Sequence, residues 1–115
     1  MVYLVLNIPI GDKLDPKYMV KRSFREFPYM MSTRTGGLDY REFRDKYGHI
    51  KNDLIKVAQD SGAIVIDPES SLCSGDTCKA IDSNGDPLYK DSAHLRPTYV
   101  RKHAKFIDKA LGCCQ

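Results

Sequence analysis

The chain has 115 residues, apolar and charged fractions of 42% and 29%, and a net charge of +3 from 18 basic and 15 acidic residues. That balance fits one small soluble globular domain, residues 1 to 115, and excludes a disordered tail. The charges are intermixed and no aromatic-basic motif accompanies them, so nucleic acid is not an expected partner.

Val2 to Ile10 is the longest apolar run, interrupted by Asn7 and Pro9. It falls short of the roughly 20 residues a bilayer span needs, and it lacks the basic flank and small-residue cleavage site of a secretory signal. Any export signal is therefore expected upstream. Val2 to Ile8 reads instead as a strand buried on both faces of a parallel sheet, ended by Pro9, Gly11 and Asp12. Asp15-Pro16 reads as a helix cap with proline at the first position, and Val20, Phe24 and Phe27 as the stripe of a helix that Pro28 stops. Tyr29 to Gly37 is loop-like.

A long amphipathic helix is predicted next. Asp39 with Glu42 resembles a capping box, Phe43, Tyr47, Ile50, Leu54, Val57 and Ser61 alternate by four and three, and Gly62 is the stop. Ala63 to Asp67 is the second buried strand. Strand, helices and strand form a βαβ unit, hence a parallel sheet, whose ligand side is expected at the carboxyl ends of its strands. Lys79 to Asp82 and Pro87 to Tyr89 flank Asn84-Gly85, a hairpin signal. Pro97 to Leu111 is the last predicted helix, with Val100, Ala104, Ile107 and Leu111 on one face. The first strand keeps a hydrophobic edge that nothing in these residues covers, and such an edge invites self-association.

Four cysteines favour an oxidising compartment. Cys73 and Cys78 bracket a polar Ser-Gly-Asp-Thr loop that can bring two sulfurs together; a disulfide is the preferred reading, with two free thiols as the alternative. Zinc is disfavoured, because no second ligand pair stands at suitable spacing, and no metal or cofactor is expected. Cys113-Cys114 is not a prenylation box. Asp82 to Asp86 is similar to the front of a calcium loop but lacks the distal glutamate, so it reads as a turn. The basic last helix, with Arg101, Lys102, Lys105 and Lys109, reads as a solvated face that an anionic polysaccharide or lipid surface would suit.

The chemistry-bearing stretch is Asp91-x-x-His94 before Pro97. It sets a carboxylate and an imidazole on one short loop, where the pair can orient and polarise a serine. No serine partner is evident. From Leu72-Cys73 through Cys78, Ile81-Asp82, Gly85, Pro87-Leu88-Tyr89, Asp91, His94-Leu95 and Pro97, the chain resembles the SGNH hydrolase superfamily. The likeness is to the C-terminal SGNH domain of membrane-bound acyltransferases that O-acetylate cell-surface polysaccharides, in which a cysteine pair precedes an "LYxDxxHL" stretch. Tyr3 to Pro9 and Ile64 to Pro68 are similar to its later core strands.

The resemblance implies a parallel-sheet, three-layer, flavodoxin-like fold of which this is the C-terminal half, with Asp91 orienting His94 and His94 as general base and acid. It implies a serine esterase or O-acyltransferase whose partners are the upstream half of the same domain, a membrane acyltransferase domain and a polysaccharide acceptor, on the periplasmic face of a bacterial inner membrane. The family's Gly-Asp-Ser and Gly-x-Asn-Asp blocks are absent. Gly75-Asp76-Thr77 is only superficially similar to the first, and Asn52-Asp53 reads as a solvated helix face. The alternative is a non-catalytic carbohydrate-binding or interaction module of the cell envelope.

Overall fold

A computed structural model describes residues 1–23, 26–30 and 37–112, with side chains left aside over 20–30. Strand β1 (Tyr3–Val5) pairs in parallel with β5 (Ile64–Ile66), Tyr3 opposite Ile64 and Val5 opposite Ile66. Between them runs α1 (Tyr40–Ser61), so the expected βαβ unit is present. Both strands are shorter than the apolar runs that encode them and are mostly half-buried, with Ile66 buried and Val5 exposed. The reason is the sheet itself: among the described residues β1 has no second neighbour.

Helix α1 follows its capping signals closely. The Asp39 carboxylate accepts the N–H groups of Arg41 and Glu42, and Gly62, at φ 75°, closes the other end by donating to the Ala58 and Gln59 carbonyls. Its predicted stripe is only partly used. Phe43 and Ala58 are buried, Tyr47 and Leu54 half-buried, and Ile50 and Val57 exposed.

The helix expected after Asp15-Pro16 is not formed. Asp15 does cap, accepting the Lys17 N–H, but only a 3-10 turn, Pro16–Tyr18, follows. The chain then enters an antiparallel pair, β2 (Val20–Ser23) and β3 (Glu26–Met30). Val, Phe, Ser and Tyr are middling helix formers and, apart from Ser, good strand formers, so a three-residue apolar stripe does not hold the helix. Leu14 and Met19, both fully buried, fix the turn at either end and override the local preference. Phe24 and the loop over 31–36 lie outside the described residues, as do Cys113 and Cys114.

After β5 come α2 (Glu69–Leu72) and a tight antiparallel pair, β6 (Cys73–Ser74) and β7 (Thr77–Cys78), joined by a Cys73–Cys78 disulfide; β4 (Leu38–Asp39) adds to its edge. Gly37 makes that addition possible. At φ +81° it sits where a side chain is strained, and a Cβ would fall 2.2 Å from the Cys78 carbonyl oxygen. Gly37→Ala is therefore expected to lower stability by about 1–3 kcal/mol, read as a lower urea midpoint with an unchanged slope.

The Asn84–Gly85 turn forms, with Gly85 at φ 83° and the Asp82 carboxylate accepting the Asn84 and Asp86 N–H groups; its arms are joined by the Ile81–Pro87 bridge and by backbone bonds from Asp82 to Asp86 and from Leu88 to Ala80, without forming a regular ladder. The last helix, α3 (Pro97–His103), is half its expected length; a 3-10 turn, Lys105–Ile107, follows, and of the predicted stripe only Ala104 is buried. The molecule is thus mixed α/β with three small sheets. Its core is not under the parallel pair. It consists of Leu14, Met19, Leu72, Ala80, Leu88 and Tyr89, drawn from turns and the segment after the disulfide.

Candidate functional site

The segment 88–96 doubles back on itself over this core. The Lys90 N–H donates to the His94 carbonyl, Tyr89 bridges Leu95, and the Arg96 N–H donates to the Leu88 carbonyl. Leu88 and Tyr89 are buried and Leu95 packs against them, so the inner side of the bracket is apolar and its tip, Asp91 to His94, stands outward. Asp91 closes the tip in the manner of a capping carboxylate: its Oδ1 accepts the N–H groups of Ala93 and His94, each at 2.8 Å.

The same carboxylate holds the imidazole. His94 Nδ1 lies 2.9 Å from Oδ1 and 3.0 Å from Oδ2, which assigns the Nδ1 hydrogen to Asp91 and leaves Nε2 as the basic nitrogen of a ring two-thirds exposed to solvent. The Ala93 N–H, together with the His94 ring and its N–H, keeps the Asp91 carboxyl below the ordinary carboxylate range despite some opposing desolvation. A depressed acid pKa means that the ionised form is the folded one. The order of this tip is therefore complete above the ordinary value of 3.8 and lost as the pH falls through the lower folded one. A carbon-13 titration of the Asp91 carboxyl is expected to give a midpoint under 3.8; an ordinary or raised midpoint overturns the geometry.

Two ties anchor the tip beyond the carboxyl end of β1. The Tyr89 hydroxyl, fully buried, donates to the Pro9 carbonyl at 2.7 Å, and the Gly11 N–H donates to the Ser92 carbonyl at 2.9 Å. The loop after β1 and the Asp–His loop are thereby one unit, on the side of the sheet where ligands are expected. Burial, with Tyr99 adding, pushes the Tyr89 phenol well above its ordinary value, so it stays a neutral donor.

Beside the tip runs a cleft of about 380 Å³ bordered by Gly11, Lys13, Glu42, Lys46, Ser92 and Ala93. Through Ile10, Phe43 and Tyr47 it adjoins an apolar cavity of about 160 Å³ between α1 and the end of β1. Neither Asp91 nor His94 lines either space; only the residues between them reach the cleft. No serine donates to His94 among the described residues. Gly75-Asp76-Thr77 is an exposed hairpin tip whose Asp76 takes a two-pronged bond from Arg41, and Asn52-Asp53 is exposed on α1.

At the carboxyl end of β5 stands a cluster that sequence reading missed. Lys51 Nζ bonds Asp67 Oδ2 at 2.7 Å and Glu69 Oε2 at 2.9 Å, and the Tyr40 hydroxyl donates to the same Glu69 oxygen at 2.7 Å. Burial alone would lower the Lys51 ammonium, but the bonds from the two carboxylates outweigh it and hold it raised. Glu69 is buried, so these partners are what make its charge tolerable. The cluster pins α1 to the strand end. Its only local signal is Asp67-Pro68-Glu69 after an apolar run, and no periodicity joins that to Lys51.

Among the described residues no group of three or more His, Cys, Asp or Glu converges as metal ligands, and no helix is long and apolar enough to cross a membrane. No curated protein and no solved structure matches the chain significantly. A model of the SGNH domain that is fused to AT3 domains does match, over residues 1–109, and with a bracket that presents Asp91 and His94 beyond the end of a parallel strand, the chain belongs to that family.

Proposed function

We propose that the chain supplies the Asp–His half of a serine-dependent acyl-transfer centre, in an esterase or O-acyltransferase acting on cell-envelope polysaccharide. The observation that carries this is the double contact of His94 Nδ1 with the Asp91 carboxylate, which leaves Nε2 free at the outward tip. With Nδ1–H held, Nε2 takes the proton of a serine hydroxyl as its oxygen attacks the acyl carbonyl, then returns that proton to the departing alcohol oxygen. The acceptor hydroxyl, or water, repeats the sequence on the acyl-serine, and Asp91 stays ionised throughout. The histidine and the carboxylate need no cofactor for this.

The serine and the oxyanion donors are assigned to an upstream half of the same three-layer domain. Pairing of that half with the open edge of β1 would also cover Val5, Ile50 and Val57, which are exposed here. Fusion to AT3 domains makes a membrane acyltransferase the natural acyl donor, and the Cys73–Cys78 disulfide suits the periplasmic side of the inner membrane.

The 115-residue chain alone is expected to hydrolyse small acyl esters no faster than free imidazole and to take up no fluorophosphonate, whereas the longer protein is labelled at an upstream serine. Labelling of Ser92, or of any other serine in this chain, would falsify the assignment. A longer protein with no reactive serine would leave the non-catalytic carbohydrate-binding or interaction module.

A further inference from the structure

Arg96 breaks two local rules. It occupies the cap position of α3, where a short polar side chain would accept a helix N–H, and it makes no such bond. Among the described residues its buried Nε has no hydrogen-bond partner and no carboxylate forms an ion pair with its guanidinium. Such conflicts between a residue and its local setting concentrate where function outweighs stability.

Two adjoining cavities, of about 440 and 290 Å³, run along α3 and share Asp82, Tyr99 and His103. Arg96 and Lys102 line the smaller. Tyr99 and His103, one turn apart on α3, set their rings 5.3 Å apart at a tilt of 32°, and both border the two cavities as an aromatic wall. The other bank is the Asn84 turn, where Asp82 Oδ1 is already taken by the Asn84 and Asp86 N–H groups.

We propose that this groove binds a sugar residue bearing a carboxylate, with the Arg96 guanidinium receiving that carboxylate. The planar fork of arginine matches a carboxylate with two parallel bonds, and a small rotation of its flexible side chain brings the sealed Nε–H into the groove. The ring wall suits the apolar face of a pyranose, and Asn84 and Asp86, which line the smaller cavity, offer polar groups for its hydroxyls. Two carboxylates on the same bank repel a multiply charged polyphosphate more strongly than a sugar with a single carboxylate. Arg96 lies two residues from His94 on the same bracket, so a sugar held here belongs to a chain passing the acyl-transfer site. The proposal names an acceptor class for the activity proposed above and rests on that reading for its meaning, but its test needs no turnover.

Titrating the nitrogen-15-labelled chain with a galacturonate disaccharide is expected to shift the Arg96 Nε–H, Tyr99 and His103 resonances to saturation. The neutral galactose disaccharide should not, and sulfate should bind at least about tenfold more weakly, because it has no sugar face for the wall. Arg96→Gln should lose about tenfold or more in affinity while keeping its fold, since the native Nε has no partner to lose. Should that variant unfold, Lys102→Gln, an exposed position on the same cavity, is expected to weaken uronate binding and leave the neutral sugar unaffected. No saturable shift with the uronate, equal response to the neutral sugar, equal affinity for sulfate, or unchanged affinity in the variants overturns the proposal.

Discussion

Replacing His94 by alanine in the serine-bearing protein proposed above is expected to lower acyl transfer by about 10⁴-fold, with the domain still folded. The ring is two-thirds exposed, so its loss removes the proposed base at little cost to the fold. Asp91→Asn is expected to leave somewhat more activity. The amide oxygen can still accept the Ala93 and His94 N–H groups that shape the tip, but it no longer supports the imidazolium that forms when His94 takes the serine proton. The two losses should not add in the double variant, because the pair acts as a unit. Rates for His94→Ala within roughly tenfold of the unmutated protein would remove the catalytic role.

Tyr89→Ala is expected to be the most damaging single truncation for stability, at about 3–5 kcal/mol, which is a large share of what a domain of this size holds. The side chain is fully buried in the core, and it also ties the loop after β1 to the Asp–His bracket through Pro9. Tyr89→Phe separates those effects. It keeps the ring but leaves the Pro9 carbonyl without its donor, for about 1–3 kcal/mol. The pH dependence has a definite sign. The folded phenol has a raised pKa, so its contribution is complete below the ordinary value of 10.0 and falls as the pH rises towards the folded one. The stability difference between the native and Tyr89→Phe chains should therefore narrow above pH 10.0. Denaturant melts at neutral and alkaline pH read this directly, and a gap that widens with alkali would place the hydroxyl outside the core.

Local chemistry was legible wherever it acts over a few residues. Asp39 and Gly62 bound α1 as capping physics requires, Asn84-Gly85 turns, Cys73 and Cys78 join across a short hairpin, and Asp91 reaches His94 because three residues of tight turn allow nothing further. The parallel pairing of β1 with β5 was legible too, since two apolar runs separated by a long helix have few other ways to meet. What only the tertiary structure decided are the outcomes that depend on distant partners. Val20–Ser23 and Glu26–Met30 are paired strands where a helix was expected as far as Pro28, because buried Leu14 and Met19 hold the turn before them, and α3 stops at His103 because most of its apolar stripe is left exposed. The ties of Tyr89 to Pro9 and of Lys51 to Asp67 and Glu69 join positions that share no period, so no local pattern announces them. The sequence by itself therefore determined the caps, turns and the Asp–His contact, whose energies are local, while the place of that contact at the end of the parallel strand was decided by long-range burial.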